Sequence, residues 1–160
     1  MISVGDTMPE GTLMTMTAEG PAPVGTAELF GGKKVALFGL PGAFTPTCSA
    51  KHVPSYIENF DALGAAGIDT IACMSVNDAF VMGAWGKDQQ ADGKVMMLAD
   101  GSADYAKALG LELDLTARGM GMRCQRFSLL VDDGVVKAVN LEENPGEMKL
   151  TGGEHMLSLL

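Results

Sequence analysis

Val35-Ala36-Leu37-Phe38-Gly39-Leu40-Pro41-Gly42-Ala43-Phe44-Thr45-Pro46-Thr47-Cys48 decides how this chain folds. Its first six residues are an apolar run of strand length, as in a buried strand. Pro41, Gly42 and Pro46 then break the strand and shape a loop. Beyond Cys48, apolar residues at Val53, Tyr56, Ile57, Phe60 and Leu63 recur with helical spacing. Cys48 therefore stands at a strand–loop–helix junction, where unpaired backbone N–H groups and the positive end of a helix dipole converge. Both favour a thiolate, the form of cysteine that reacts. A cysteine that only fills space needs no such loop.

Outward from this junction, strands and helices alternate. A short strand is expected at 13–17, a turn at 20–23, and a connection closed by Gly31-Gly32 before the strand at 34–40. The helix after Cys48 is predicted to run over 48–66 and to end at Gly67. A strand at 68–76 precedes Asp78, which suits the N-cap of a helix reaching about residue 90. Residues 95–99 form a third core strand, and 103–109 a short helix ended by Gly110. The segments 125–131 and 135–140, joined by Asp132-Asp133-Gly134, have the pattern of a hairpin. A last helix follows Gly152-Gly153. This order predicts an α/β fold, a mixed sheet flanked by helices, in a single domain spanning 1–160.

At 160 residues and 47% hydrophobic, the chain can bury one sizeable core without disulfide staples. A net charge of −9 argues against nucleic acid as partner, because phosphate contacts need clustered Lys and Arg. No apolar run reaches the roughly 18 residues of a membrane-spanning helix. The start, Met1-Ile2-Ser3-Val4-Gly5-Asp6, lacks a basic and apolar leader. Cys48, Cys73 and Cys124 are an odd set without paired spacing, which fits a reducing compartment. A cytoplasmic protein is expected.

Pro-x-x-x-Thr-x-x-Cys over 41–48 resembles the active-site signature of the peroxiredoxins, thiol-dependent peroxidases. The fuller PGAFTPTCS resembles their type II (mammalian type V-like) subfamily. The resemblance continues through Lys51-His52-Val53-Pro54, the block at 75–81, Leu98-Ala99-Asp100-Gly101-Ser102, residues 109–114 and the block at 126–134. It implies a thioredoxin-like fold and an antioxidant enzyme that reduces hydrogen peroxide and organic hydroperoxides without a cofactor. Cys48 would be the peroxidatic nucleophile.

Thiolate population alone cannot carry such chemistry. Lowering a cysteine pKa from 8.5 to about 6 gains at most roughly thirtyfold at pH 7, part of it lost to weaker nucleophilicity. Fixed donors aimed at the breaking O–O bond are worth more, on the order of 10²–10³ each. Thr45, three residues before Cys48, offers a hydroxyl to accept from a neighbour and donate to a peroxide oxygen. Backbone N–H groups from Gly42 onward add further donors. Pro41 would shield the sulfur and fix the loop. A permanent cation completes the set, and the family pattern places it before an aromatic at the start of a late strand, which Arg126-Phe127 matches. Arg123 is out of register and suits a surface charge or one that supports the site from behind.

His52, at i+4 from Cys48, shares a helical face with it. A cysteine hydrolase would use it as an obligatory base, whereas a peroxidase predicts a mild effect of its substitution. A metal site would need more ligands than His52 and the distant His155 supply, so none is expected. A peroxide-sensing redox relay, or an idle thioredoxin-like binding module, is the alternative outside catalysis. Joint presence of Pro41, Thr45, Cys48 and Arg126 counts against idleness.

After attack, Cys48 would be a sulfenic acid that must condense with a thiol. Some relatives carry a resolving cysteine before the last helix, but 149–153 here has none. Cys73 sits within an apolar strand and would need local unfolding to bridge Cys48. A one-cysteine cycle is favoured, with glutathione and a glutaredoxin, or thioredoxin, as reductant. Phe44, Pro46 and Phe80 are expected at the mouth of the site as an apolar patch. Similar type II peroxiredoxins pair through this face, which implies a homodimer.

Overall fold

The computed structural model describes residues 1–160. The chain opens with strands β1 (Thr12–Thr17) and β2 (Gly20–Gly25), helix α1 (Thr26–Phe30) and strand β3 (Lys34–Gly39). A π-helical turn (Cys48–His52) leads into α2 (Val53–Glu58) and α3 (Phe60–Ala65), followed by β4 (Thr70–Ser75) and α4 (Ala79–Asp88). Then come β5 (Met96–Ala99), α5 (Asp104–Leu109), β6 (Glu112–Leu115), β7 (Gly121–Cys124), β8 (Phe127–Asp132), β9 (Val135–Leu141) and α6 (Gly153–Ser158).

The period of two along β3 builds the sandwich. Val35 and Leu37 enter one apolar layer, Ala36 and Phe38 the other, and all four are fully buried. The first layer is closed by Leu29 and Phe30 of α1 and by Tyr105, Ala106 and Leu109 of α5. The second is closed by Val53 and Tyr56 of α2, Leu63 of α3, Met82 and Trp85 of α4, and Met156 of α6. The seven-stranded sheet runs β2-β1-β5-β4-β3-β8-β9. Its three middle strands, β5, β4 and β3, are parallel, and the outer pairings are antiparallel. This is the expected mixed sheet flanked by helices.

The parallel register sets β3 and β4 so that the loops following Gly39 and Ser75 leave from the same sheet edge. On the other side, Gly39 pairs with Phe127 of β8, which carries the preceding Arg126 to the end of β3. The glycine is required there: a Cβ at residue 39 would lie 2.1 Å from Phe127 Cε1.

The hairpin β8–β9 turns on Asp133 (φ 48°) and Gly134 (φ 78°), two left-handed residues as a tight two-residue loop demands. Asp78 caps α4 as expected, accepting from the Val81 N–H at 2.8 Å. Three local expectations change. The single helix over 48–66 is divided into a π turn and two helices, broken again at Asn59. Residues 20–23 belong to a strand, the turn lying just before it. Pro21 and Pro23 pair with Met16 and Met14 on alternate positions of the outermost strand, where a missing N–H faces away from β1. The small β6–β7 hairpin was not anticipated; its strands have four residues each and lack a clear period.

Candidate active site

Cys48 opens the π turn, in which the Val53 N–H reaches back five residues to the Cys48 carbonyl. Pro54 has no N–H to give to the carbonyl four residues before it, so the regular ladder cannot form across this stretch. The turn keeps Cys48 and His52 on its inner side, both fully buried. Wider helical turns of this kind cluster at functional sites.

Arg126, 2% exposed, reaches the sulfur from the end of β8. Its Nη2 donates to Cys48 Sγ at 3.1 Å, its Nη1 to His52 Nδ1 at 2.8 Å, and its Nε to the Pro145 carbonyl at 2.8 Å. None of these partners is a carboxylate. Cys48 Sγ is the only one that can carry a compensating negative charge for a buried guanidinium, which is costly to leave alone.

Because Nδ1 accepts from arginine, the His52 proton sits on Nε2, which donates to the Thr151 carbonyl at 3.0 Å. Burial, and then the charge of Arg126, lower the His52 pKa to about 3 against the opposing bond to Thr151. The ring is thus a neutral holder of Arg126, with both nitrogens engaged, and not a base for Cys48. The same Thr151 carbonyl accepts from the Tyr56 hydroxyl at 2.8 Å, and the Tyr56 ring stacks on Phe38 at 4.0 Å. The sequence predicts a mild effect of His52 substitution in a peroxidase; the structure gives the ring a task at the guanidinium.

The loop over 41–47 is fastened at several points. The Pro41 carbonyl accepts from Arg123 Nη1 at 3.4 Å, and Arg123 Nε donates to Met120 O at 2.8 Å, so Arg123 supports the loop from β7. The Ala43 N–H donates to Asn77 Oδ1 at 3.0 Å, and Thr47 Oγ1 donates to Gly146 O at 2.8 Å. Thr45 Oγ1 donates to the Gly42 carbonyl at 2.7 Å. Its single proton is therefore committed, and toward a ligand it presents lone pairs that accept from a peroxide O–H, not the donor expected from spacing. Gly42 is closely packed: a Cβ there would lie 3.0 Å from Arg123 Nη1 and 3.1 Å from Thr45 Cγ2, so those side chains would have to give way.

The other cysteines are held as thiols. Cys73, in β4 opposite Phe38, has its pKa raised well above the usual range, first by burial and then by Cys48. Burial pushes Cys124 up to about 12, and its Sγ lies 3.1 Å from the Leu40 carbonyl. Phe44 (54% exposed), Pro46 and Phe80 (67% exposed) are on the surface, with Phe44 in the left-handed region at φ 62°. Phe80 does not pack inward.

The structure gathers Cys48 and Arg126 at the loop of Pro41, Gly42 and Thr45, and adds Asn77, Pro145 and Thr151, which the sequence did not single out. The last two act through backbone carbonyls, which no side-chain pattern reveals.

To reduce a peroxide, a thiol must be kept from bulk water beside a charge that does not titrate, and an apolar interior rarely tolerates that pairing. A thioredoxin-like sheet built around such a pair marks the class as thiol-dependent peroxidase. Residues 3–157 match the model of the Redoxin family. Peroxiredoxin-2B of Arabidopsis thaliana is 47% identical, covering 99% of this chain and 98% of the relative. Peroxiredoxin-2C of Oryza sativa subsp. japonica is 48% identical with the same coverage. The crystal structure of reduced Prx3 in complex with hydrogen peroxide from Vibrio vulnificus is similar with a TM-score of 0.94, 49% identity and 99% coverage of each chain. The chain belongs to the Redoxin family, among its peroxiredoxins.

Proposed function

We propose that Cys48 reduces hydrogen peroxide and organic hydroperoxides with Arg126, Thr45 and the Pro41–Gly42 loop as its supporting groups. The observation that carries this reading is the 3.1 Å hydrogen bond from Arg126 Nη2 to Cys48 Sγ within a buried site. The sulfur of the thiolate attacks one peroxide oxygen. The O–O bond breaks and its electron pair leaves on the other oxygen, as hydroxide or alkoxide, which takes up a proton to give water or alcohol. Arg126 donates toward the oxygens as charge grows there, and Thr45 Oγ1 accepts from the peroxide O–H. Cys48 becomes a sulfenic acid. The Vibrio vulnificus relative, described in complex with hydrogen peroxide, supports the smallest of these substrates.

A thiol then condenses with the sulfenic acid, releasing water, and a second thiol frees Cys48 from the mixed disulfide. Glutathione with a glutaredoxin, or thioredoxin, suits a one-cysteine cycle in the reducing cytoplasm. A second reading has its own observation: Cys73 and Cys48 belong to the same apolar layer. Unwinding of the π turn would let Cys73 act as resolving thiol. The exposed Phe44, Pro46 and Phe80 support pairing with a second copy around the site.

Steady-state peroxide reduction with each reductant, on wild type and on Cys48→Ser, Cys73→Ser and Cys124→Ser, tests the cycle. Cys48→Ser should be inactive, and Cys73→Ser should keep most turnover. A folded Cys73→Ser that is oxidised normally but fails to turn over would replace the one-cysteine cycle with the second reading.

A further inference from the structure

Glu142 lies just past β9 and is 6% exposed, yet no Lys or Arg side chain pairs with it; the salt bridge in the structure joins Lys149 to Glu147. Instead its carboxylate accepts from two backbone N–H groups further along. The Lys149 N–H lies 2.8 and 2.9 Å from its two oxygens, and the Leu150 N–H 2.7 and 3.1 Å. Charge-assisted bonds of this type are among the stronger ones a loop can use. They close the segment 142–150, which has no strand or helix of its own, into a staple.

That staple, with Thr151 directly after it, bears on the active site at four points. The Glu142 N–H donates to the Arg126 carbonyl at 3.1 Å. The Pro145 carbonyl receives Arg126 Nε, the Gly146 carbonyl receives Thr47 Oγ1, and the Thr151 carbonyl receives His52, which in turn holds Arg126 Nη1. Two of the three acceptors that orient the guanidinium, the Pro145 carbonyl and His52, therefore depend on where this segment lies. We propose that Glu142 is a positioning residue of the peroxidase: its buried carboxylate fastens the 142–151 segment so that the Pro145 and Thr151 carbonyls aim Arg126 at Cys48. The inference rests on the assignment of Arg126 to the peroxide reaction.

The test is the rate at which hydrogen peroxide oxidises Cys48, measured by stopped flow at a pH where the thiol is fully ionised. Glu142→Gln, which keeps one acceptor oxygen but loses the charge and the second, should slow oxidation roughly tenfold, since a misplacement near 1 Å can cost up to about 10². Glu143→Gln, at the exposed neighbouring position, should leave the rate unchanged. In an Arg126→Gln background, Glu142→Gln should cost less than a further twofold, because its effect passes through the missing guanidinium. An unchanged rate in Glu142→Gln, or the same loss in both backgrounds, overturns the proposal. If Glu142→Gln does not fold by circular dichroism, Glu142→Asp, which keeps the charge one methylene short, decides by the same comparison. Should Arg126→Gln alone leave the rate unaltered, the assignment of Arg126 fails, and not the staple.

Discussion

Arg126 donates to Cys48 Sγ at 3.1 Å, and none of the guanidinium's hydrogen-bond partners is a carboxylate. Its charge is thus available to the reacting sulfur and oxygens without competition. Arg126→Gln should slow Cys48 oxidation by roughly 10²–10³. Stopped-flow rates combined with a thiol pH titration check this, and most of the loss should persist after correction for the fraction ionised. A loss accounted for wholly by that fraction would remove the transition-state role.

His52 gives the protein an acid limit. Its folded pKa is about 3 against 6.5 in an unfolded chain, so between these values the unfolded state binds the extra proton. Stability from this group is complete above about pH 6.5 and falls as the pH drops toward 3, at up to about 1.4 kcal/mol per pH unit. Urea unfolding at pH 7.5, 5.5 and 4.5 should show a steeper acid decline in wild type than in His52→Gln. Parallel declines would show that the imidazole contributes nothing to the acid limit.

Gly39→Ala is expected to strain the junction of β3 and β8. The added methyl meets the buried Phe127 ring at 2.1 Å, and overpacking of this kind costs about 1–3 kcal/mol. Thermal melting should drop by several degrees. Because Phe127 follows Arg126, oxidation of Cys48 should slow as well. A variant with wild-type melting and rate would mean that the ring shifts freely.

Most of this architecture was legible because periodicity is strongest where burial is deepest. The run 35–40 announced a buried strand, and Pro41, Gly42 and Pro46 announced the loop that carries the site. Tertiary context decided the remainder. Pro21 and Pro23 suggested a turn, yet on an outermost strand their missing N–H groups cost nothing. The helical spacing after Cys48 survived, but Pro54 opened it into a π turn. Thr45 was found by its spacing, while its proton's destination, the Gly42 carbonyl, depends on loop geometry that no spacing encodes. The carbonyls of Pro145 and Thr151 were invisible because any residue type offers one.

Phe44 and Phe80 are exposed, and the proposed pairing of two copies would cover them. Phe80→Asp should shift the protein toward monomer in sedimentation velocity at tens of micromolar, with an unchanged melting profile at high dilution. Wild-type protein that sediments as a monomer at that concentration would count against the pairing.

Both flanks of the sheet are blunted against strand addition at particular points. On one side, Pro21 and Pro23 remove the outward N–H groups of β2. On the other, the amino-terminal segment covers the start of β9, through Gly5 N–H to Val136 O at 2.9 Å and Val136 N–H to Asp6 O at 2.9 Å. Neither flank there offers the open ladder that templates cross-β polymers. At these points a strand from another chain would find no free N–H to pair with, so the sheet ends with this chain.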